Sequence, residues 1–146
     1  LQESPQDVDP LASLGFDPLE GLPPARELAT LLARRGGPVK SVLLDQSLFA
    51  GVGNWIADEA LYQAAIDPRR PASALDRAAV ARLRARLLAI VRRAVAVGAD
   101  DRRFPRGWLF HHRWGREEGA RTARGERIVH LTIGGRTTAF VPARQR

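Results

Sequence analysis

The chain has 146 residues, a formal net charge of +7, 45% hydrophobic residues and no cysteine. This length suits one domain or two small lobes around one substantial core. The absence of cysteine excludes disulfide bonds and any zinc or iron–sulfur site held by thiolates. The sequence shows no apolar run of the roughly 18 residues that a membrane span requires, and no secretion signal.

The positive charge increases along the chain. Residues 1–39 carry three basic against six acidic residues, residues 40–98 nine against five, and residues 99–146 eleven against five. A charge run is often only a solvated surface, but a field that grows toward one end is typical of a nucleic-acid footprint. Lys40 is the only lysine among the 23 basic residues.

The chain opens with a segment that predicts no regular structure. Residues 1–23 are acidic, contain four prolines and show no sustained period, so they are predicted to be a linker or a wrapped loop. A first helix is predicted over residues 24–35, because Pro24 suits the first helical position and Gly36–Gly37 would end the helix.

A second helix is predicted from about Pro38. Its apolar stripe consists of Val39, Val42 and Leu43, and Lys40 lies in its first turn. The helical period places Lys40 off that stripe, so we expect an exposed ammonium group that stays charged.

A tight turn with two glycines precedes the third helix, which is predicted over residues 54–66. Gly51 and Gly53 flank one valine, and two such glycines allow positive φ angles and a close approach to a ligand. The helix that opens at Asn54 presents free N–H groups and a positive dipole end to this turn. That arrangement predicts an anion site, and in a basic chain it favours a nucleic-acid phosphate.

The fourth predicted helix is the longest and covers residues 77–97. Asp76 is a suitable N-cap and Gly98 a suitable stop. Its core face recurs at helical spacing: Val80, Leu83, Leu87, Ile90, Val91 and Ala94. Together the four segments predict a small helical bundle.

The helical periodicity of the sequence ends after Gly98. Residues 99–126 are irregular and rich in aromatic residues, and two extended runs follow, joined by Gly134–Gly135. That pattern predicts a β-hairpin over residues 128–142. A lone hairpin is marginal in water, so we expect the aromatic residues to pack it on the bundle in preference to forming a base-stacking platform. These residues are Phe104, Trp108, Phe110 and Trp114.

Residues 40–68 resemble the helix–two-turn–helix (H2TH) segment of the formamidopyrimidine-DNA glycosylase / endonuclease VIII family. The resemblance rests on the spacing of Gln46, Gly51, Gly53, Asn54, Glu59, Leu61 and Pro68. The tail GGRTTAFVPARQ at residues 134–145 is similar to the zincless finger of plant and fungal members. The resemblance implies a mainly α fold, with an H2TH bundle over residues 24–98 and a lesion-side loop and zincless-finger hairpin over residues 99–146. Residues 1–23 would then be the linker from an N-terminal β-sandwich domain.

The resemblance also implies roles for single residues. Lys40, Gly53, Asn54 and Arg136 match positions at which the family holds the phosphates that flank a lesion in double-stranded DNA. Arg136 would lie at the tip of the finger hairpin. Glu59 matches the family pattern as well, and we expect it to be a structural carboxylate of the third helix.

The implied activity is that of a base-excision DNA glycosylase with AP lyase activity on oxidised bases, including formamidopyrimidine-type and further-oxidised purine lesions. The family attacks C1′ with an N-terminal proline followed by a glutamate, whereas this chain opens Leu1-Gln2-Glu3. No catalytic residue is therefore expected here, and we expect this chain alone to hold DNA without cutting it.

We expect no metal or other cofactor. Many bacterial members hold the finger with four cysteines around zinc, and His111, His112 and His130 alone do not replace them. Hairpin packing must then take over that role. The expected protein is a monomer in the bacterial cytoplasm or nucleoid, or in a eukaryotic nucleus.

Two other interpretations fit part of the pattern. A helix-hairpin-helix glycosylase also uses a GVG turn and a lysine nucleophile, for which Lys40 would be the candidate, but that family's lysine follows the hairpin. A non-catalytic H2TH module, as in ribosomal or topoisomerase subunits, would bind nucleic acid without chemistry. Such modules lack the hairpin that carries Arg136.

Overall fold

The computed structural model describes residues 15–114 and 119–146. These form four α-helices and one two-stranded sheet, so the predicted mainly helical fold with a C-terminal hairpin is confirmed. The elements are α1 (Ala25–Leu32), α2 (Val39–Leu44), α3 (Asn54–Ala64), α4 (Arg77–Ala96), β1 (Val129–Ile133) and β2 (Arg136–Phe140). Most of the predicted linker, residues 1–14, lies outside the described residues. None of the helices in the described ranges is long and apolar enough to cross a membrane.

The ends of the helices follow local chemistry. The Asp76 carboxylate accepts a hydrogen bond from the Ala79 N–H at 2.8 Å, so the predicted cap of α4 is confirmed. α3 begins at Asn54 as predicted, but it ends two residues early because Ala65 adopts a left-handed conformation with φ 61°. Gly98, with φ 61°, follows the last turn of α4.

The main core lies between α4 and the helices that pack on it, α1 and α3. The predicted apolar face of α4 is buried at four positions, and α1 contributes two leucines and α3 three alanines and a leucine. These residues are Val80, Leu83, Leu87, Ile90, Leu28, Leu32, Ala57, Ala60, Ala64 and Leu61. The buried core fixes α3, whose N-terminus carries the predicted anion site.

The hairpin has the turn that its glycines predict. β1 and β2 pair antiparallel with Ile133 opposite Arg136, and Gly134 and Gly135 have φ angles of 56° and 78°. A two-residue turn of this type needs positive φ at both central positions, which glycine adopts without steric cost. Arg136 therefore follows the turn directly.

The hairpin packs on the bundle through a different set of residues than the sequence suggests. Ala139, Val141 and Ile128 pack against Tyr62 of α3 and Leu109. The small Ala139 lets β2 approach α3 closely, so the aromatic rings are not needed between them.

The aromatic residues form a separate cluster. Trp55 lies with its ring centroid 5.4 Å from that of Phe104 and 4.9 Å from that of Phe110, and Trp108 joins the same group. This cluster packs the loop after α4 against the start of α3. Trp114 lies at the edge of this cluster, with its ring centroid 5.1 Å from that of Phe110, and 58% of it is exposed.

Candidate nucleic-acid interface

In the turn before α3, one glycine with a positive φ reverses the chain, not two. Gly51 has a φ of 81°, whereas Gly53 has φ −92° and ψ −177°, which is an extended conformation open to any residue. The prediction of a positive φ at Gly53 is therefore wrong. One left-handed residue is enough to reverse the chain here, and Gly53 then enters the helix from the extended region as N-cap residues do.

The side chain of Gln46 stabilises this turn by hydrogen bonds to its backbone. Its amide nitrogen donates to the Val52 carbonyl at 3.0 Å, and its amide oxygen accepts from the Gly51 N–H at 2.7 Å. The side chain of Gln46 thus bonds both a carbonyl and an N–H group of the turn. These two hydrogen bonds take the place of the regular backbone bond between residues i and i+3. The start of α3 is thus held in one orientation.

The N-terminus of α3 is open to a ligand. Gly53 is exposed, and a Cβ built on it would meet no atom within 4 Å. No side chain caps the helix. The first N–H groups of a helix have no intrahelical acceptor, so they and the positive end of the dipole point at the space in front of Gly53.

Asn54 connects this helix end to the hairpin. Its amide nitrogen donates to the Thr137 carbonyl at 2.9 Å, which uses one of its two N–H bonds. The amide oxygen is buried and accepts no hydrogen bond within the described residues. Asn54 also lines a cleft of about 240 Å³ together with Arg113, Trp114, His130 and Thr137.

Arg136 lies at the base of the hairpin turn and is exposed. Its guanidinium makes no ion pair or hydrogen bond within residues 15–114 and 119–146. It precedes Thr137, whose carbonyl Asn54 binds, so the two predicted phosphate ligands lie on adjoining parts of the structure. An exposed guanidinium is suited to pairing with phosphate oxygens.

Lys40 does not lie where the helical period predicts. It is completely buried, and its Nζ lies 2.6 Å from Asp58 Oδ1, 2.8 Å from Thr138 Oγ1 and 3.4 Å from the Thr137 carbonyl oxygen. The expectation of an exposed lysine is therefore wrong. The side of α2 that faces away from the helical core is covered by β2, and the period of α2 carries no information about that strand.

The environment of Lys40 changes its proton affinity. Burial lowers the pKa of Lys40, and the carboxylate of Asp58 opposes this by favouring the ammonium form. Positive charge on Arg113 and Arg136 lowers the pKa of Lys40 further. The ammonium group donates inward, so this structure does not present it to a ligand.

Asp58 accepts from three elements at once, and sequence reasoning missed it. Besides Lys40, its carboxylate accepts from Arg113 Nη2 at 2.6 Å and from the Ala139 N–H of β2 at 3.1 Å. The available signal was its spacing, because Asp58 lies four residues after Asn54 and so on the same face of α3. Arg113 was missed too, and nothing in its local sequence marks it as buried.

Glu59 is the second buried carboxylate of α3. It accepts the N–H groups of Leu109 at 3.0 Å and Phe110 at 2.7 Å, and the Gln63 amide at 2.9 Å. Burial raises the pKa of Glu59, and these three donors partly offset that effect. Glu59 thus anchors the loop that contains the aromatic cluster.

The three histidines do not come together. His111 Nε2 lies 3.2 Å from the Phe104 carbonyl oxygen, and His130 Nε2 lies 2.9 Å from that of Arg113. In the part of the chain that the structure describes, no group of three or more histidine or acidic residues is placed to hold a metal ion.

Comparison with known proteins agrees with this geometry. A sequence profile for the formamidopyrimidine-DNA glycosylase H2TH domain matches residues 14–105. A formamidopyrimidine-DNA glycosylase of Arabidopsis thaliana is 40% identical over 146 residues, which is 100% of this chain and 37% of that protein.

Solved structures show the same fold. The MutM (Fpg) protein of Thermus thermophilus is 34% identical, with a TM-score of 0.78 over 96% of this chain and 56% of its own. The Lactococcus lactis formamidopyrimidine-DNA glycosylase, non-covalently bound to DNA with an AP site, is 25% identical, with a TM-score of 0.78 over 93% and 51% of the two chains. The chain thus spans between about a third and somewhat over half of these relatives, and it belongs to the formamidopyrimidine-DNA glycosylase family through its H2TH domain.

Proposed function

We propose that this chain is the DNA-binding half of a base-excision DNA glycosylase with AP lyase activity, and that it holds the backbone of damaged duplex DNA around the lesion. The observation that carries the proposal is the hydrogen bond from Asn54 Nδ2 to the Thr137 carbonyl at 2.9 Å. It joins the N-terminus of α3 to the base of the hairpin turn across 83 residues of sequence. Two groups suited to phosphate are thereby held next to each other.

Each group contributes a different interaction. Gly53 leaves the approach to the helix N-terminus open, so a phosphate oxygen can accept from backbone N–H groups. Asn54 retains a second amide N–H that can donate to the phosphate. Arg136 supplies a charged, exposed guanidinium, which pairs with phosphate oxygens in a bidentate geometry. Contacts of this kind fix the position of the protein on DNA without reading the base sequence.

Lys40 enters the proposal in a different role. Its buried ammonium group, the Asp58 carboxylate and the nearly buried Arg113 guanidinium form a cluster with two positive charges and one negative charge. This cluster contributes positive potential beneath the Asn54 cleft. Lys40 then assists DNA binding through the cluster, and the direct phosphate ligands are Asn54, the backbone at Gly53, and Arg136.

The remaining parts of the proposal rest on the family resemblance of the sequence. The catalytic proline and glutamate of the family would be supplied by an N-terminal β-sandwich domain, to which residues 1–23 would connect the H2TH domain at residues 24–98. Residues 99–146 would form the lesion-side loop and the finger. The proposed substrates are oxidised bases of the formamidopyrimidine and further-oxidised purine type in double-stranded DNA, bound by a monomer without cofactor.

Fluorescence anisotropy tests the binding role directly. The probe is a labelled duplex with a central tetrahydrofuran abasic analogue, titrated with wild type, Asn54→Ala and Arg136→Ala at several salt concentrations. A hydrogen bond to a charged group contributes about 1.5–3 kcal/mol, so each variant should bind about tenfold or more weakly. Only Arg136→Ala should also reduce the salt slope, by about one.

The matched control is Arg26→Ala, which removes an exposed arginine of α1. It should leave affinity and salt slope near those of the wild type. If Arg136→Ala and Arg26→Ala behave alike, the assignment of Arg136 to a phosphate is wrong.

A further inference from the structure

The carboxylate of Asp58 is the point at which the hairpin is tied to the helices. One oxygen accepts from Lys40 of α2 at 2.6 Å, and the other accepts from Arg113 at 2.6 Å and from the Ala139 N–H of β2 at 3.1 Å. Lys40 in turn donates to Thr138 of β2 at 2.8 Å. One side chain on α3 therefore fixes α2, the lesion-side loop and β2 relative to one another.

The buried setting makes this connection sensitive to charge. Asp58 and Lys40 are fully buried, and only 6% of Arg113 is exposed. Two cations in a buried cluster need a counter-ion, because an unpaired buried charge carries a large desolvation penalty. Asp58 provides that counter-ion, so its loss would force Lys40 or Arg113 to move.

Polar contacts help to hold the hairpin near its tip. A two-stranded sheet is marginal on its own, and the apolar cluster with Tyr62 and Leu109 lies toward its far end, while Ile133 is buried beside the turn. Near the turn, the contacts to the helices are polar: Asn54 and Lys40 to Thr137, and Lys40 to Thr138. The two contacts of Lys40 depend on its position, which Asp58 sets, whereas Asn54 binds the Thr137 carbonyl independently of Lys40.

We propose that Asp58 is a positioning residue for DNA binding, which holds Arg136 in register with the N-terminus of α3 without touching DNA itself. This inference rests on the proposed function, because it concerns the same phosphate grip. The direction in which DNA affinity changes when Asp58 is replaced distinguishes a positioning role from a purely electrostatic effect. Removing a negative charge should strengthen attraction to DNA by simple electrostatics, whereas loss of a positioning residue should weaken binding.

The first test is Asp58→Asn, assayed by anisotropy on the abasic-analogue duplex well below the measured melting temperature of the variant. We expect affinity to fall about tenfold, within the coupling range of residues in one network. Adding Arg136→Ala to Asp58→Asn should then cost little more, because Arg136 is already misplaced. In the wild-type background Arg136→Ala should retain its full effect.

A disulfide provides a rescue that bypasses Asp58. A Cβ built on Gly134 would lie 3.9 Å from Ser41 Cβ, and the mean separation in disulfides is about 3.8 Å. The chain has no other cysteine, so Ser41→Cys with Gly134→Cys can form only this intramolecular bond between α2 and the hairpin tip. Gly134 has a positive φ, so the cysteine pair is first made in the wild-type background to show that it preserves DNA affinity.

We expect the oxidised cysteine pair to restore the affinity of Asp58→Asn to within about threefold of the wild type, and dithiothreitol to abolish the rescue. If Asp58→Asn is unfolded, the rescue is tested in the combined variant Lys40→Met, Asp58→Leu and Arg113→Met, since apolar replacement of a whole buried ion cluster can keep the fold.

Two results would overturn the proposal. Asp58→Asn could bind as tightly as the wild type or tighter, or the oxidised pair could fail to restore binding in the background tested. Failure of the phosphate grip itself is distinguishable, because Arg136→Ala would then have no effect in the wild-type background either.

Discussion

The ammonium group of Lys40 lies 2.6 Å from Asp58 Oδ1, and both side chains are completely shielded from solvent. They come from α2 and α3, and β2 closes the site through Thr138 and Ala139. The only lysine of a strongly basic chain therefore connects the hairpin to the helices. Arg136, in contrast, is exposed, as its proposed contact with a phosphate requires.

Removal of Lys40 should be costly to folding. Lys40→Ala leaves Asp58 buried with one cation fewer, and breaking a buried ion pair costs about 3–5 kcal/mol. Arg35→Ala is the matched control, because Arg35 pairs with Asp45 at the surface, where a pair contributes about 0–1 kcal/mol. Urea unfolding measures both values. Equal losses in the two variants would show that the Lys40 pair is not buried in solution.

Lys40 should not act as a nucleophile. A lowered pKa favours the neutral amine that a Schiff base requires, but Nζ is enclosed by Asp58 and Thr138 and has no path to C1′ of a nucleotide. Borohydride treatment of this 146-residue chain with an abasic-site duplex should trap no adduct through Lys40. A trapped adduct that Lys40→Arg abolishes would instead support a lysine-dependent lyase.

The stability of the wild type should depend on pH through Glu59. Its pKa in the folded protein is raised by burial above the ordinary value of 4.5. Between that value and the raised pKa, the folded state binds a proton that the unfolded state has lost, so the contribution to stability is present at low pH and is lost as pH rises. Glu59→Gln removes this titration.

The free energy of unfolding of the wild type, relative to that of Glu59→Gln, should therefore fall as pH rises from 4.5 through the raised pKa. Urea unfolding across this range measures the difference, and the exposed Glu27→Gln of α1 is the matched control. A difference between wild type and Glu59→Gln that stays constant with pH would contradict the raised pKa.

Chelation should leave the protein unchanged. The chain has no cysteine, and the hairpin is held by the apolar cluster around Tyr62 and by the Asp58 carboxylate. We expect EDTA to alter neither the melting temperature nor DNA affinity. Stoichiometric zinc in elemental analysis, or a melting temperature lowered by EDTA, would show that a metal supports the finger.

Features set by neighbouring residues could be predicted from the sequence. The Asp76 cap, the buried face of α4 and the Gly134–Gly135 turn depend on side chains and dihedral angles within one element, and the structure has all three. The start of α3 at Asn54 was also predicted from neighbouring residues. Local chemistry was sufficient for these elements.

Features set by distant residues could not be predicted in this way. The period of α2 places Lys40 off the apolar stripe, but Thr138, 98 residues later in the chain, covers that side. Asp58 was missed for the same reason, because its three partners come from three different elements. The position of a strand over a helix depends on tertiary packing, which helical spacing does not encode.

The central claim, that Arg136 and Asn54 hold a particular phosphate beside the lesion, is tested most directly by removing the charge from single phosphates. A set of abasic-analogue duplexes, each with one methylphosphonate flanking the lesion, is titrated with wild type, Arg136→Ala and Asn54→Ala. We predict one position at which the wild type loses about tenfold in affinity and at which both substitutions have no further effect, since the partners of one contact are not additive. If both substitutions weaken binding by the same factor on every duplex in the set, neither residue contacts a lesion-flanking phosphate and the account is wrong.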